Sequence, residues 1–249
     1  MLRIVALCPT YRRRKQVENL LACFQAQTYQ NKYLLICDDS GELSNQEGNN
    51  WSVVSVPLQP TLPAKYNLIA RIAIEQHSAD VLAVMEDDDI YFEDYLTNHN
   101  LAIQNHLWSF PSWCYEQAYY KCPTGQLHRA PPTSHQHGRI AVTRELYNRV
   151  GGYTETPDAI FDVRMISKLK QHKPGNPCDY GGSQYYFRWS SADVRDVQHG
   201  QAYMDRPNWL QVAQEKVNAQ LGPVVLQPPL VPRFDAETAS YFNPTQSHT

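Results

Sequence analysis

Residues 81–96 read VLAVMEDDDIYFEDYL. An apolar run, Val81 to Met85, meets four consecutive carboxylates, Glu86, Asp87, Asp88 and Asp89, and the chain turns apolar again at Ile90 and Tyr91. Neighbouring like charges repel: a pair ~4 Å apart costs on the order of 4 kcal/mol at an effective dielectric of ~20. A cation offsets that repulsion, and an all-oxygen ligand set suits Mg2+ or Mn2+, which bridge carboxylates to substrate phosphates. The alternative is a solvated acidic loop, where most charge runs belong. The five apolar residues before it and the Ile-Tyr after it argue against that.

Working outward, the first ~105 residues alternate two periodicities. LRIVALC, KYLLICDDS, WSVVSVP and DVLAVM are short, continuously apolar runs of strand type. Between them, Val17, Leu20, Leu21 and Phe24 fall at helical spacing, as do Leu68, Ile69, Ile72 and Ala73. YFEDYLTNHNLAIQNH predicts a further helix. Apolar strands alternating with helices predict an α/β fold with a mostly parallel sheet covered on both faces. In such a sheet ligands bind outside the carboxyl ends of the strands. Two strands end in acids there, one at Asp38 and Asp39 and the other at Glu86–Asp89.

The second half is less regular. Residues 107–140 mix strand-like runs with Pro-, His- and aromatic-rich loops. VTRELYNRVGGY predicts a short helix stopped by Gly151 and Gly152, AIFDVRMISKLKQH a helix, SQYYFRWS a strand and NWLQVAQEKVNAQLG a last helix. After Leu221 the chain carries five of its 17 prolines and little periodicity. The expected organisation is a half at 1–105, a second half of the same domain at 106–221, and a Pro-rich tail at 222–249.

The chain has 249 residues, 42% hydrophobic content and a net charge of −3. That supports one sizeable core and gives no general nucleic-acid or membrane character. No apolar run approaches the ~20 residues of a membrane span. The first residues put their positive charge after the apolar part, the reverse of a secretory leader. The six cysteines show no metal-site spacing and read as mostly free thiols. The expected compartment is the cytoplasm, bacterial or that of a phage host.

Three segments, taken in order, carry a resemblance. ALCPTYRRRKQVENLLACFQAQTYQNKYLLICDDS, LPAKYNLIARIA and VLAVMEDDDIYFEDYL resemble the nucleotide-sugar half of an inverting family-2 glycosyltransferase of the GT-A fold. The resemblance covers residues 3–96, and it rests on the ordered set, since a lone DxD is very weak. It implies a sugar transfer from a nucleotide-diphosphate donor, most commonly a UDP-sugar, assisted by Mn2+ or Mg2+.

Residue by residue, the resemblance implies that Pro9, Thr10 and Tyr11 form the base-binding turn. Asp38 or Asp39 is then the acid that contacts base or ribose. Lys65 stands where the family often has Arg near the diphosphate; the plain alternative is a solvated lysine at a helix start. Apart from the resemblance, Arg13 lies in the one basic cluster, RRRK at 12–15, which could serve the donor diphosphate, a nucleic-acid phosphate backbone or solvent. Glu86-Asp87-Asp88 replaces the usual Asp-x-Asp, a departure at its first position. Asp88 is the expected metal ligand and Asp89 the further acid, close to the metal or the donor sugar. Glu86 is assigned to the ribose or a metal-bound water, and Asp87 to the donor site or a structural role.

In the second half, VTRELYNRVGGYTE resembles the segment preceding the family's catalytic acid. Asp162 fits that acid, with Phe161 in place of the usual Glu, and Asp158 is the alternative. A carboxylate is needed there because direct displacement requires the acceptor hydroxyl to lose its proton as it attacks. The plain alternative for Asp162 is a helix-start carboxylate favoured by the dipole. A late His in many GT-A enzymes binds the metal, which nominates His199. His135 and His137 could pass for a zinc pair, but a loop or acceptor-pocket role is the stronger reading.

Competing readings are weaker. A sugar-nucleotidyltransferase would want a Gly-rich loop after the first strand, where this chain has CPTYRRR. A phosphatase or nuclease on the acidic rim leaves the PTY turn and the RELYNRVGGY segment unexplained. A non-catalytic sugar-nucleotide or glycan-binding module draws support from the departures at Glu86 and Phe161. The acceptor stays open between a glycan, a protein, a small molecule and, as a minority reading, a modified base in phage DNA.

Overall fold

The structure, a computed structural model, describes residues 1–111, 114–117, 127–130, 137–156, 160–172, 174–178 and 185–187. In chain order the first half holds β1 (Ile4–Thr10), α1 (Arg14–Gln25), β2 (Lys32–Asp38), β3 (Gln46–Gly48), β4 (Trp51–Ser55), α2 (Leu62–His77), β5 (Val81–Val84), β6 (Ile90–Tyr91) and α3 (Tyr95–Ile103). The second half holds β7 (Trp108–Phe110), β8 (Cys114–Gln117), β9 (Leu127–Ala130), a 3-10 turn at His137–Arg139, β10 (Ala141–Thr143), α4 (Arg144–Arg149), α5 (Phe161–His172), β11 (Asn176–Pro177) and β12 (Tyr185–Phe187).

The main sheet has the order β11-β7-β10-β5-β1-β2-β4-β3, and a smaller one the order β6-β12-β8-β9. β1 lies at the centre, parallel to β2 and to β5, and β4 adds parallel to β2. This confirms the α/β, mostly parallel sheet expected from the sequence. The antiparallel insertions of β10 between β5 and β7, and of β3 on β4, were not foreseen.

The continuous apolar character of β1 has a direct cause. Ile4, Ala6 and Cys8 face a core built with Leu20, Phe24, Tyr91 and Leu96. Val5 and Leu7 face a second core built with Tyr66, Ile69, Leu146 and Met165. Successive side chains point to opposite faces, so a strand roofed on both sides is apolar at every position. Each fully buried aliphatic side chain contributes roughly 1.5–3 kcal/mol.

α2 starts where Thr61 accepts from Ala64 N at 3.2 Å, with Pro63 in its first turn, and stops at Ser78 in the left-handed region. The helix expected from Tyr91 begins instead at Tyr95, because Ile90 and Tyr91 pair with β12. α4 ends at Gly151 and Gly152, both at positive φ, as their spacing predicted. No described helix is long and apolar enough to cross a membrane. Cys8, Cys23, Cys37 and Cys178 are buried and form no disulfide among the described residues. The last helix expected before Leu221, and residues 222–249, lie outside the described residues.

Candidate functional site

Because β1, β2 and β5 are parallel, their carboxyl ends share one rim. The register sets Thr10 beside Asp38. Beyond β5 the chain stays on β1, with Met85 N donating to Leu7 O at 3.1 Å, and this carries the next four acids toward the β1–α1 turn.

Asp87 and Asp88 turn back to that turn. The Thr10 hydroxyl donates to Asp87 Oδ2 at 2.6 Å. Arg13 Nη1 donates to Asp87 Oδ1 at 2.8 Å and to Asp88 Oδ2 at 2.9 Å. Arg13 occupies the N-cap position of α1 without capping it; its guanidinium is spent on the carboxylates. Burial, then Asp88, pushes the Asp87 carboxyl up to about 6, against the pull of Arg13 and Thr10. Burial works against the Arg13 charge, but Asp87 and Asp88 outweigh it and raise its pKa. Burial first, then the same carboxylates, raises the Cys8 thiol well above its ordinary value, so Cys8 is inert as a nucleophile.

Asp38 and Asp39 work at the end of β2. Asp38 accepts from Ser40 N at 3.1 Å, from the Ser40 hydroxyl at 2.6 Å and from Leu43 N at 2.9 Å. It therefore shapes its own loop. Asp39 accepts from Gln59 N at 3.0 Å and is ion-paired with Lys65. Lys65 also donates to Thr10 O at 2.9 Å, so it joins the ends of β1 and β2. It is buried, which corrects the solvated reading. Tyr11 is exposed, its ring 5.4 Å from the Arg12 guanidinium carbon and 5.8 Å from Lys65 Nζ.

Glu86 points to the other side. Its Oε1 accepts from the Tyr66 hydroxyl at 2.7 Å, and His137 Nδ1 lies 3.6 Å from the same oxygen. Its backbone N donates to the Tyr91 hydroxyl at 2.7 Å, which in turn donates to Gly138 O at 2.8 Å. Burial, with Glu86 adding to it, raises the Tyr66 phenol well above its ordinary value, so Tyr66 is a fixed donor. A Cβ on Gly138 would sit 2.5 Å from Glu86 Oε2 and 3.2 Å from Asp89 Oδ2.

Glu86, Asp88 and Asp89 each offer one oxygen, all within 4.8 Å of one another. Three carboxylate oxygens converging beside a glycine that leaves no room for a side chain fit a small hard cation. The structure thus groups Glu86 with Asp88 and Asp89, while Asp87 turns to Thr10 and shares Arg13 with Asp88.

Asp162 stands in the first turn of α5, its Oδ1 accepting from Val163 N at 2.7 Å. It is near enough to Tyr153 for its charge to help raise that phenol, after burial. Phe161 packs on the rings of Tyr66, His137 and Tyr153 at 5.9, 5.7 and 6.2 Å. Pro9 is the penultimate residue of β1. Asp158, His135 and His199 lie outside the described residues. The sequence reading missed Tyr66, Tyr91, Gly138 and Tyr153, although Tyr66 follows Lys65 directly and Gly138 closes the HQHG stretch.

No protein-family model matches the sequence, and no curated protein is similar to it. Solved structures are similar in fold. The mannosyltransferase PcManGT from Pyrobaculum calidifontis, in complex with GDP-Man and Mn2+, matches with a TM-score of 0.54 and 14% identity over 98% of this chain and 70% of that one. TarS 1-349 from S. aureus matches with a TM-score of 0.55 and 12% identity over 98% and 73%. The same TarS fragment in complex with UDP-GlcNAc gives 0.54 and 12% over 98% and 73%. At such identities the likeness is one of fold, and the fold is the GT-A type.

Proposed function

We propose that the chain is a divalent-cation-dependent glycosyltransferase that moves a sugar from a nucleotide-diphosphate donor to an acceptor hydroxyl, with inversion. The observation that carries this reading is the convergence of Glu86, Asp88 and Asp89 within 4.8 Å on the rim where β1 and β2 end. The solved structures of similar fold include complexes with GDP-Man and Mn2+ and with UDP-GlcNAc.

In this reading residues 1–105 bind the donor and 106–221 the acceptor. Tyr11 offers an exposed ring to the nucleobase, while Pro9, Thr10, Asp38 and Asp39 shape the nucleoside pocket. Lys65 holds that pocket together, and Arg13, held by Asp87 and Asp88, is assigned to the diphosphate beside them. Glu86, Asp88 and Asp89 hold Mn2+ or Mg2+, with Asp87 as their anchor to β1. The bound cation supplies neutralisation of the leaving diphosphate. Asp162 takes the proton of the acceptor hydroxyl as it attacks the anomeric carbon from the face opposite the diphosphate. Asp158 remains the alternative base and His199 a further cation ligand.

The test is nucleotide release from a panel of UDP- and GDP-sugars with Mn2+ and glycan, protein and DNA acceptors. The reading expects turnover of one donor class, and a loss of about 100-fold or more in kcat for Asp162→Asn with donor binding kept. Equal turnover by Asp162→Asn rejects Asp162 as the base.

A further inference from the structure

Glu86 has one more rotatable bond than the Asp it replaces, so holding its carboxylate at a cation costs more side-chain entropy. Such a residue needs to be fixed from outside. Tyr66 donates to Oε1 at 2.7 Å. His137 is buried, its Nδ1 lies 3.6 Å from that oxygen, and Nδ1 has no hydrogen-bond partner among the described residues. His137 Nε2 is hydrogen-bonded to the Tyr153 hydroxyl. When Tyr153 donates to Nε2, the ring proton sits on Nδ1 and faces Glu86.

The rings are locked together. Tyr66 stacks on Tyr153 at 4.8 Å between centroids and meets His137 edge-on at 4.9 Å. Phe161, at the start of α5, packs on all three. At the other carboxylate oxygen, a Cβ on Gly138 would lie 2.5 Å from Oε2, so only a glycine leaves room for it. One oxygen of the Glu86 carboxylate lies within 4.8 Å of one oxygen each of Asp88 and Asp89.

We propose that His137, braced by Tyr153 and acting with Tyr66, is a positioning assembly that fixes Glu86 as the third carboxylate of the cation site. Outer partners that orient a ligand typically change metal affinity by about 10–100-fold. The same packing joins Glu86 to the helix that carries Asp162, so the cation side and the acceptor side share one scaffold. The inference rests on the cation-dependent reading above.

The experiment titrates Mn2+ by electron paramagnetic resonance and calorimetry, alone and with UDP or GDP, with no turnover involved. Wild type is compared with Tyr66→Phe, His137→Gln, His137→Asn and Asp88→Asn. Asp88→Asn is expected to abolish binding. Tyr66→Phe and His137→Gln are each expected to weaken it about 10–100-fold. His137→Asn, whose amide reaches the Nδ1 position, is expected to retain more affinity than His137→Gln. If Asp88→Asn abolishes binding while Tyr66→Phe and His137→Gln bind like wild type, the positioning role falls and the cation site stands. If wild type binds no Mn2+ with either nucleotide, both fall. Should the histidine variants misfold, Tyr66→Phe, which removes a single oxygen, decides the outcome alone.

Discussion

The Thr10 hydroxyl donates to Asp87 at 2.6 Å across 77 positions of sequence. This bond ties the end of β1 to the acidic turn after β5. Thr10→Val keeps the shape and leaves a buried carboxylate with only Arg13. The expected loss is about 1–3 kcal/mol in urea denaturation. An unchanged midpoint would show that Arg13 alone holds the turn.

Lys65 and Asp39 form a buried ion pair that links the first two strand ends. Lys65→Met strands the Asp39 carboxylate, and the expected cost is about 3–5 kcal/mol. Adding Asp39→Asn removes the buried charge and is expected to restore part of that loss, a non-additivity that a double-mutant cycle measures. Strictly additive losses would contradict the pairing.

His99 is fully buried, its Nδ1 2.7 Å from the Ser109 hydroxyl. Burial pushes its pKa from 6.5 to about 3. The folded state therefore disfavours the charged ring, and protonation favours unfolding. Its contribution is intact above pH 6.5 and is lost as pH falls from there toward 3, by up to about 1.4 kcal/mol per unit. Denaturation of wild type and His99→Gln across that range should show the difference between them drifting against wild type as pH falls. A constant difference would contradict the buried neutral histidine.

Gly151 and Gly152 both sit at positive φ, but their surroundings differ. A Cβ at Gly151 meets none of the described residues within 4 Å, whereas one at Gly152 lies 2.7 Å from Asn67 Oδ1 and 2.9 Å from the Tyr147 hydroxyl. Gly151→Ala should cost about 1–2 kcal/mol from backbone strain alone. Gly152→Ala should cost clearly more, because Asn67 Oδ1 also accepts from Tyr153 N at 2.8 Å and the Tyr147 hydroxyl at 2.9 Å. Thermal melts of the two variants give the comparison directly.

The sheet was legible because its strands are buried on both faces, which writes an unbroken apolar run such as LRIVALC. The edges were not. β10 and β7 are three residues each, too short to carry a period, and their insertion depends on long-range pairing. The four acids could be read as a group because they are contiguous. Their division of labour could not, since it depends on which way each side chain turns. Asp87 goes to Thr10 and Arg13, and Glu86 goes to Tyr66. Tyr66 and His137 are 71 positions apart in sequence, and nothing local announces that they meet at one carboxylate oxygen.

In the proposed function the acidic rim holds a cation and a nucleoside diphosphate together. Calorimetric titration of UDP and of GDP, each with and without Mn2+, on wild type and Asp88→Ala, tests it most directly. Wild type is expected to bind one nucleotide in a Mn2+-dependent way, and Asp88→Ala to lose that binding. No binding of either nucleotide under any condition, or equal binding by the variant, would contradict it.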